Sequence, residues 1–287
     1  MVKKNILTKL FFPLSISFLS FLPLIFEGFV APQKAYATNW NRYNMVWKRG
    51  LSNLNQGNYE KALDFYNQAI DIYKRDPSAY YNRGISHMEL GNHENALKDY
   101  KKALKLDPEM SDQYTYNNMG VVYQELGDFE NAKDSYTKAI EIDDKDGLYF
   151  HNRGYINMKL ENWEDALLDY QTALEKYPQK KKGRGYLDCQ ENKKLIHCQM
   201  DEYFYNNIGW INYNLKDFKA ALRNYDKAIE INPSDGLFFT NKGNTLYDMG
   251  DKKNACVNYK KSSSLGYEDI DDYLKSWDGR WCRKMKI

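Results

Sequence analysis

The sequence predicts an all-α protein, a right-handed superhelical solenoid of repeated helix-turn-helix units. Three residues that return together along the chain indicate it: a glycine, an alanine and a tyrosine. The glycines recur at steps of 34, 36, 34, 55 and 34 residues, as Gly50, Gly84, Gly120, Gly154, Gly209 and Gly243. The alanines follow the same steps, each with a tyrosine four residues later, as Ala62, Ala96, Ala132, Ala166, Ala221 and Ala255. Because the series agree, a unit of about 34 residues is repeated six times.

One complete unit occupies residues 80–108. Its first half places Tyr80, Gly84 and His87 at positions i, i+4 and i+7, the spacing of one helical face. A Gly-Asn pair then ends this first helix, because both residues tolerate the left-handed conformation found just beyond a helix. The second half repeats the helical spacing and stops at Pro108, which cannot continue a helix. Each unit is therefore expected to be a helical hairpin.

Other positions of the unit also recur. In most units an aromatic residue stands four before the glycine, another precedes the first alanine, and a second alanine and a proline close the unit. These residues are Tyr80, Tyr116, Phe150, Tyr205 and Phe239; Tyr59, Phe129, Trp163 and Phe218; Ala69, Ala103, Ala139, Ala173 and Ala228; Pro108, Pro178 and Pro233. Over roughly residues 43–269 the chain thus resembles the tetratricopeptide repeat family. The first unit departs from the pattern at Val46, and the last at Lys252, Ser262 and Tyr267, as expected of terminal units.

The N-terminal segment, residues 1–37, has the features of a secretory signal. Lysines precede an apolar run at 10–26, and Ala35-Tyr36-Ala37 matches a small-x-small cleavage site. We expect an exported protein that acts in a periplasm, in a thylakoid-type lumen or as a secreted protein. The competing interpretation is an uncleaved anchor, because 17 apolar residues reach the lower limit for spanning a bilayer.

Charge excludes one class of partner. The chain has 41 basic and 39 acidic residues, and the signal segment contains four Lys and one Glu. The remainder therefore carries 37 basic and 38 acidic residues, a net charge of −1. Nucleic-acid binding requires a strongly basic surface, so no nucleic acid is expected as a partner.

The repeat spacing divides the rest of the chain. We expect repeats 1–4 at 38–180, an insert at 181–201, repeats 5 and 6 at 202–269, and a capping helix and tail at 270–287. The insert opens with a basic run, Lys180, Lys181, Lys182 and Arg184. It is either a solvated loop or a docking element for an acidic partner or a membrane surface, which makes peripheral membrane association an open possibility.

Four cysteines in an exported chain suggest two disulfides, for which three pairings exist. Proximity favours Cys189 with Cys198 inside the insert, and Cys256 with Cys282 between the last repeat and the cap. The alternative is a metal site, but Cys189 and Cys198 lack the close spacing of zinc ligands. No metal or cofactor is expected.

An asparagine stands two positions before the glycine in five units. These residues are Asn82, Asn118, Asn152, Asn207 and Asn241. Two residues correspond to about 200° around a helix, so the asparagines are expected to point away from the packing positions and to line the inner wall of the superhelix. An amide can pair with both polar groups of an extended peptide. Some tetratricopeptide proteins hold peptides with such an Asn ladder, and the resemblance implies the same here. The alternative is that these residues only position the helices.

Aromatic residues accompany the ladder. Tyr155, Trp210, Tyr213 and Tyr247 occupy the matching inner positions, together with Tyr81, His151, Met158, Tyr203, Asn206 and Asn244. Aromatic rings mixed with amides suit an extended polypeptide or a sugar chain. The other interpretation of this stripe is packing between repeats.

The sequence therefore predicts a scaffold or assembly factor that binds a protein or peptide in a concave groove. The alternatives are an envelope glycan-binding module and an oligomerisation or membrane-complex adaptor that works through the insert and the convex face. An enzyme is not expected, because the chain lacks a Gly-rich phosphate loop, G-x-S-x-G and H-E-x-x-H.

Overall fold

The computed structural model describes residues 30–108, 112–176, 200–276 and 278–285. Within these ranges the chain forms fourteen α-helices and no strand, which confirms the all-α class. The helices are α1 (Val30–Asn55), α2 (Tyr59–Ile72), α3 (Pro77–Glu89), α4 (His93–Leu106), α5 (Gln113–Glu125), α6 (Phe129–Ile142), α7 (Gly147–Lys159), α8 (Trp163–Lys176), α9 (Met200–Asn214), α10 (Phe218–Ile231), α11 (Gly236–Asp248), α12 (Lys252–Ser264), α13 (Glu268–Lys275) and α14 (Arg280–Arg283). Residues 1–29 of the expected signal segment lie outside the described residues. No described helix is both long enough and apolar enough to cross a bilayer.

The helices belong to two compact units, divided after Asp128. In the first unit, α1 pairs with α2 and α3 with α4, while α3 also packs on α2 and α5 on α4. In the second unit, the pairs are α7 with α8, α9 with α10, and α11 with α12. Successive pairs in this unit are joined because α9 packs on α8 and α11 on α10. The expected helix-turn-helix packing is thus confirmed in each unit.

Contact between the glycine and tyrosine series explains why both recur. A Cβ atom added to Gly84 would lie 2.8 Å from the ring of Tyr100, and one added to Gly209 would lie 2.6 Å from the ring of Tyr225. The same contact joins Gly50, Gly154 and Gly243 to the tyrosines sixteen residues later. The six tyrosines of the series are at most 4% exposed. In these five hairpins a ring lies against a helix backbone that has no side chain.

Aspartates define where the first helix of four hairpins begins. Asp76 accepts a hydrogen bond from the backbone nitrogen of Ser78, an N-cap that satisfies one of the free donors of α3. Asp112, Asp146 and Asp235 cap α5, α7 and α11 in the same way. These caps recur with the repeat, so they set the helix start independently of the apolar pattern.

Buried ion pairs join three helices in each unit. The guanidinium of Arg83 on α3 donates two 2.7 Å bonds to Asp99 on α4 and a third to Asn67 on α2. Arg153 on α7 does the same with Asp169 on α8 and Thr137 on α6. A bidentate pair fixes both distance and orientation, so each arginine sets the position of its helix against two neighbours.

The C-terminal segment closes the second unit. Ile270 and Leu274 on α13 are buried against α12 in one apolar cluster. Cys256 on α12 and Cys282 on α14 form a disulfide with their Cα atoms 5.2 Å apart. Cys189 and Cys198, with the rest of the predicted insert up to residue 199, lie outside the described residues.

Candidate ligand-binding surface

One asparagine of the ladder, Asn82, is buried, contrary to the orientation that helical geometry alone predicts. Asn82 is only 5% exposed, and its Nδ2 donates to the backbone oxygen of Ser78 on the same helix. The expectation that it points away from the packing positions is therefore wrong. A separation of two residues gives a direction around the helix axis, but it does not reveal whether that side is buried.

Three other asparagines hydrogen bond to neighbouring helices. Asn207 Nδ2 on α9 donates to Tyr170 Oη on α8 at 3.0 Å. In the same unit, Asn241 Nδ2 donates to the buried Asn206 Oδ1 at 2.8 Å. In the first unit, Asn118 on α5 donates to Tyr81 Oη on α3 at 3.3 Å. Each of these amides joins one repeat to the next and remains half-buried.

Asn152 is also half-buried, on α7. Two more residues expected on the inner wall, His151 and Tyr81, pack between helices. The ring of His151 lies 4.6 Å from Phe204 and 5.3 Å from Tyr170, and burial lowers the pKa of His151 to about 4. Tyr81 lies 5.9 Å from Tyr100, and burial raises its pKa. At these positions the alternative interpretation, packing between repeats, is correct.

Five aromatic residues that were expected on the inner wall lie in the second unit. We call the set Tyr155, Tyr203, Trp210, Tyr213 and Tyr247, on helices α7, α9 and α11, the aromatic surface. The rings of Trp210 and Tyr213 stack with centres 5.4 Å apart. Tyr203 is 44% exposed and Tyr247 38% exposed. These residues differ from the tyrosines of the repeat series, which are buried.

Hydrogen bonds to carboxylates orient two of these tyrosines. Tyr213 Oη on α9 donates to Asp248 Oδ2 on α11 at 2.5 Å, and Tyr203 Oη donates to Asp235 Oδ2 at 3.1 Å. The bond to Asp248, with burial and the carboxylate charge, raises the pKa of Tyr213 to about 12. The phenol therefore remains protonated at neutral pH, and it joins two successive repeats at the surface.

Lysines lie over the rings of the aromatic surface. The Nζ atoms of Lys159, Lys216 and Lys252 are 5.3, 5.4 and 5.8 Å from the ring centres of Tyr155, Tyr213 and Tyr247. Lys216 has a backbone φ of 64°, and Glu161 in the turn between α7 and α8 has one of 58°, where four other turns between paired helices have glycine. A side chain in this conformation costs about 1–2 kcal/mol. The cation–π contact, worth about 0.5–1 kcal/mol at an exposed site, offsets part of that cost.

Trp281 was not predicted from the sequence. Its ring lies 5.4 Å from Tyr247, and its Nε1 donates to Tyr273 Oη at 3.1 Å. It follows none of the recurring series, so only the position of α14 could reveal the contact.

Among the described residues, no group of three or more His, Cys, Asp and Glu side chains could hold a metal ion. This surface can bind a ligand through stacking and hydrogen bonds.

The fold defines a helical repeat protein, and this surface gives it a set of accessible aromatic side chains. Family models match much of the chain. The models described as tetratricopeptide repeat match residues 77–110, 114–146, 147–180 and 203–235, and one described as TPR repeat matches 50–91. Together they cover more than half of the chain. The chain belongs to the tetratricopeptide repeat family.

Crystal structures of other repeat proteins are similar to this chain. YrrB, described as a TPR protein with an unusual peptide-binding site, is 25% identical with a TM-score of 0.58 over 73% of this chain and 97% of its own. MamA from Desulfovibrio magneticus is 17% identical with a TM-score of 0.55 over 67% and 96%. A tetratricopeptide repeat protein from Parabacteroides merdae is 20% identical with a TM-score of 0.51 over 85% and 88%. No curated protein sequence matches the chain. The repeats and the structural neighbours support a scaffold for protein–protein interaction.

Proposed function

We propose that this protein is a scaffold outside the cytoplasm that holds an extended segment of a partner protein along the aromatic surface. The observation that carries the proposal is the accessibility of rings on successive first helices, with Tyr203 and Tyr247 more than one third exposed. Contiguous exposed apolar side chains rimmed by polar ones are typical of interaction sites. The hairpins are closed by the buried tyrosine series, which contains none of these rings.

The chemistry of the surface suits a polypeptide. Rings of Trp and Tyr bury a large area on binding and lose little side-chain entropy, which is why they dominate interfaces. Asn207 and Asn241 each use one amide hydrogen in the contact with the neighbouring repeat. The carbonyl oxygen of Asn207 takes no part in that bond, so it is the group of the ladder best suited to accept a peptide N–H. The ladder would thus serve both the stack and the ligand.

Two observations support action outside the cytoplasm. The N-terminal sequence has the pattern of a signal, with an apolar run and a small-x-small site at Ala35-Tyr36-Ala37. The disulfide between Cys256 and Cys282 is a kind of bond that persists mainly in oxidising compartments. A fusion of residues 1–60 to alkaline phosphatase, which is active only after export, tests this proposal. An inactive fusion at normal expression would contradict it.

Binding is tested with a phage library of random 12-residue peptides and the full chain recovered from its own cells. We expect Trp210→Ala to weaken the selected peptides by about tenfold or more, because central Trp residues dominate interface energies. Leu168→Ala is the matched control, since Leu168 is a 62% exposed apolar residue on α8 of the same unit. Equal loss in both variants, or no selection by the wild type, would contradict a peptide site here. Retention on purified envelope polysaccharide instead would assign the surface to a glycan.

A further inference from the structure

The two successive first helices α9 and α11 carry different residues at the same place. Trp210 follows the glycine of α9, and it stacks on Tyr213 three residues later. On α11 the residue after the glycine is Asn244, and Tyr247 follows three residues later. Asn244 instead accepts a hydrogen bond from Tyr259 Oη at 2.8 Å. The sixth repeat therefore has the tyrosine of this pair without the tryptophan.

The C-terminal segment supplies the missing ring. Trp281 on α14 lies 5.4 Å from Tyr247, the same centre-to-centre distance as in the pair on α9. Trp281 also lies 6.3 Å from the ring of Tyr259, and its indole donates to Tyr273 Oη. A tryptophan and a tyrosine are thus brought together in both repeats, once by helical spacing and once by tertiary contact.

The two pairs are linked through neighbouring residues of α11. Tyr213 Oη donates to Asp248, which is the neighbour of Tyr247 in the chain. Rings and carboxylate therefore follow one another from α9 across α11 to α14. A ligand that covers Trp210 and continues toward the C-terminus would meet Tyr247 and Trp281 next.

The position of Trp281 depends on the disulfide. The helix α14 has four residues, far fewer than the roughly 12–15 that an isolated helix needs for marginal stability. Cys282, the residue next to Trp281, is fully buried and bonded to Cys256 on α12. The cross-link closes a loop of 26 residues, and its loss would restore the conformational freedom of the segment.

We propose that Trp281 is a further ligand-contacting residue of the aromatic surface, and that the disulfide holds it there. The inference rests on the proposed function. A dithiol reductant would transfer two electrons and two protons to the disulfide, giving the thiols of Cys256 and Cys282, while the dithiol itself becomes a disulfide. Trp281 would then leave Tyr247, and ligand affinity would fall. Binding is therefore redox-dependent, with the oxidised form as the binding form.

The test uses a fluorescein-labelled 12-residue peptide selected from the phage library by the oxidised wild-type chain. Two variants distinguish the role of the Trp281 ring from that of the disulfide. Trp281→Ala keeps both cysteines, and Cys256→Ser with Cys282→Ser keeps the ring. We expect both to weaken the peptide by about tenfold, and dithiothreitol to weaken it for the wild type but not for the double serine variant. Lys284→Ala, an exposed change on the same segment, is the control and should leave affinity unchanged.

The outcomes are distinct. Unchanged affinity in Trp281→Ala would overturn the inference while the proposed function stands. Higher affinity after reduction would overturn it as well, since the segment would then block the surface. Circular dichroism at the assay temperature verifies that each variant is folded. If the oxidised wild type selects no peptide, both the proposed function and this inference fail.

Discussion

Replacing Asn207 by alanine tests whether the asparagine ladder joins the repeats. Its Nδ2 donates at 3.0 Å to Tyr170 Oη, on a side chain that is fully buried. If the amide served only a ligand, its removal would leave stability unchanged. If the amide joins α9 to α8, its removal leaves the hydroxyl of Tyr170 without a hydrogen-bond partner inside the protein.

The expected loss of unfolding free energy is about 1–3 kcal/mol, the cost of a buried group left without its partner. Alanine is a better helix former than asparagine by about 0.5 kcal/mol, which opposes the loss. Asn214→Ala is the matched control. It lies on the same helix, is half-buried, and donates only to the backbone oxygen of Trp210 on its own helix. Asn214 is the last residue of α9, so its propensity gain is no larger than that of Asn207, and the difference between the variants is a lower bound on the contact between helices.

Urea unfolding of the full chain, followed by circular dichroism, gives the two free energies. A double-mutant cycle with Tyr170→Phe then isolates the pair, with an expected coupling of about 0.5–1.5 kcal/mol. If Asn207→Ala is no less stable than Asn214→Ala and the coupling is zero, the amide does not join the repeats. The ladder would then be available for ligand alone.

Further changes follow from packing and charge. Gly209→Ala should lower the unfolding free energy in urea by about 1–2 kcal/mol, because overpacking against a buried ring 2.6 Å away exceeds the helix-propensity gain of alanine. Gly154→Ala, where the ring is 3.0 Å away, should lower it less. Equal losses in the two variants would refute the contact argument. Burial depresses the pKa of His151 to about 4, so its contribution to stability is complete above about pH 6.5. As the pH falls toward 4 this contribution is lost, by up to about 1.4 kcal/mol per pH unit. His151→Phe should flatten that part of the pH profile of stability, and an unaltered profile would contradict the prediction. Arg83→Ala should cost about 3 kcal/mol or more because it leaves Asp99 buried without its partner, and thermal unfolding within a degree of the wild type would exclude this.

The repeated hairpin could be predicted from the sequence because its determinants are local. Alanine and tyrosine recur four residues apart on one face of the second helix, and the structure shows that this face meets the glycine of the first helix, as Tyr100 meets Gly84. The orientation of Asn82 could not be predicted in the same way. Position around a helix says which side a residue occupies, but not whether the next repeat covers that side.

The aromatic surface likewise contains one contact that the sequence predicts and one that it does not. Trp210 and Tyr213 are three residues apart, so their stacking follows from helical geometry and could be anticipated. Trp281 belongs to no recurring series, and its contact with Tyr247 joins residues 34 apart along the chain. The sequence by itself determined the helical hairpins, their number and their packing seams. Only the tertiary structure decided which polar and aromatic side chains face a neighbour and which remain accessible, because that depends on where separate helices meet.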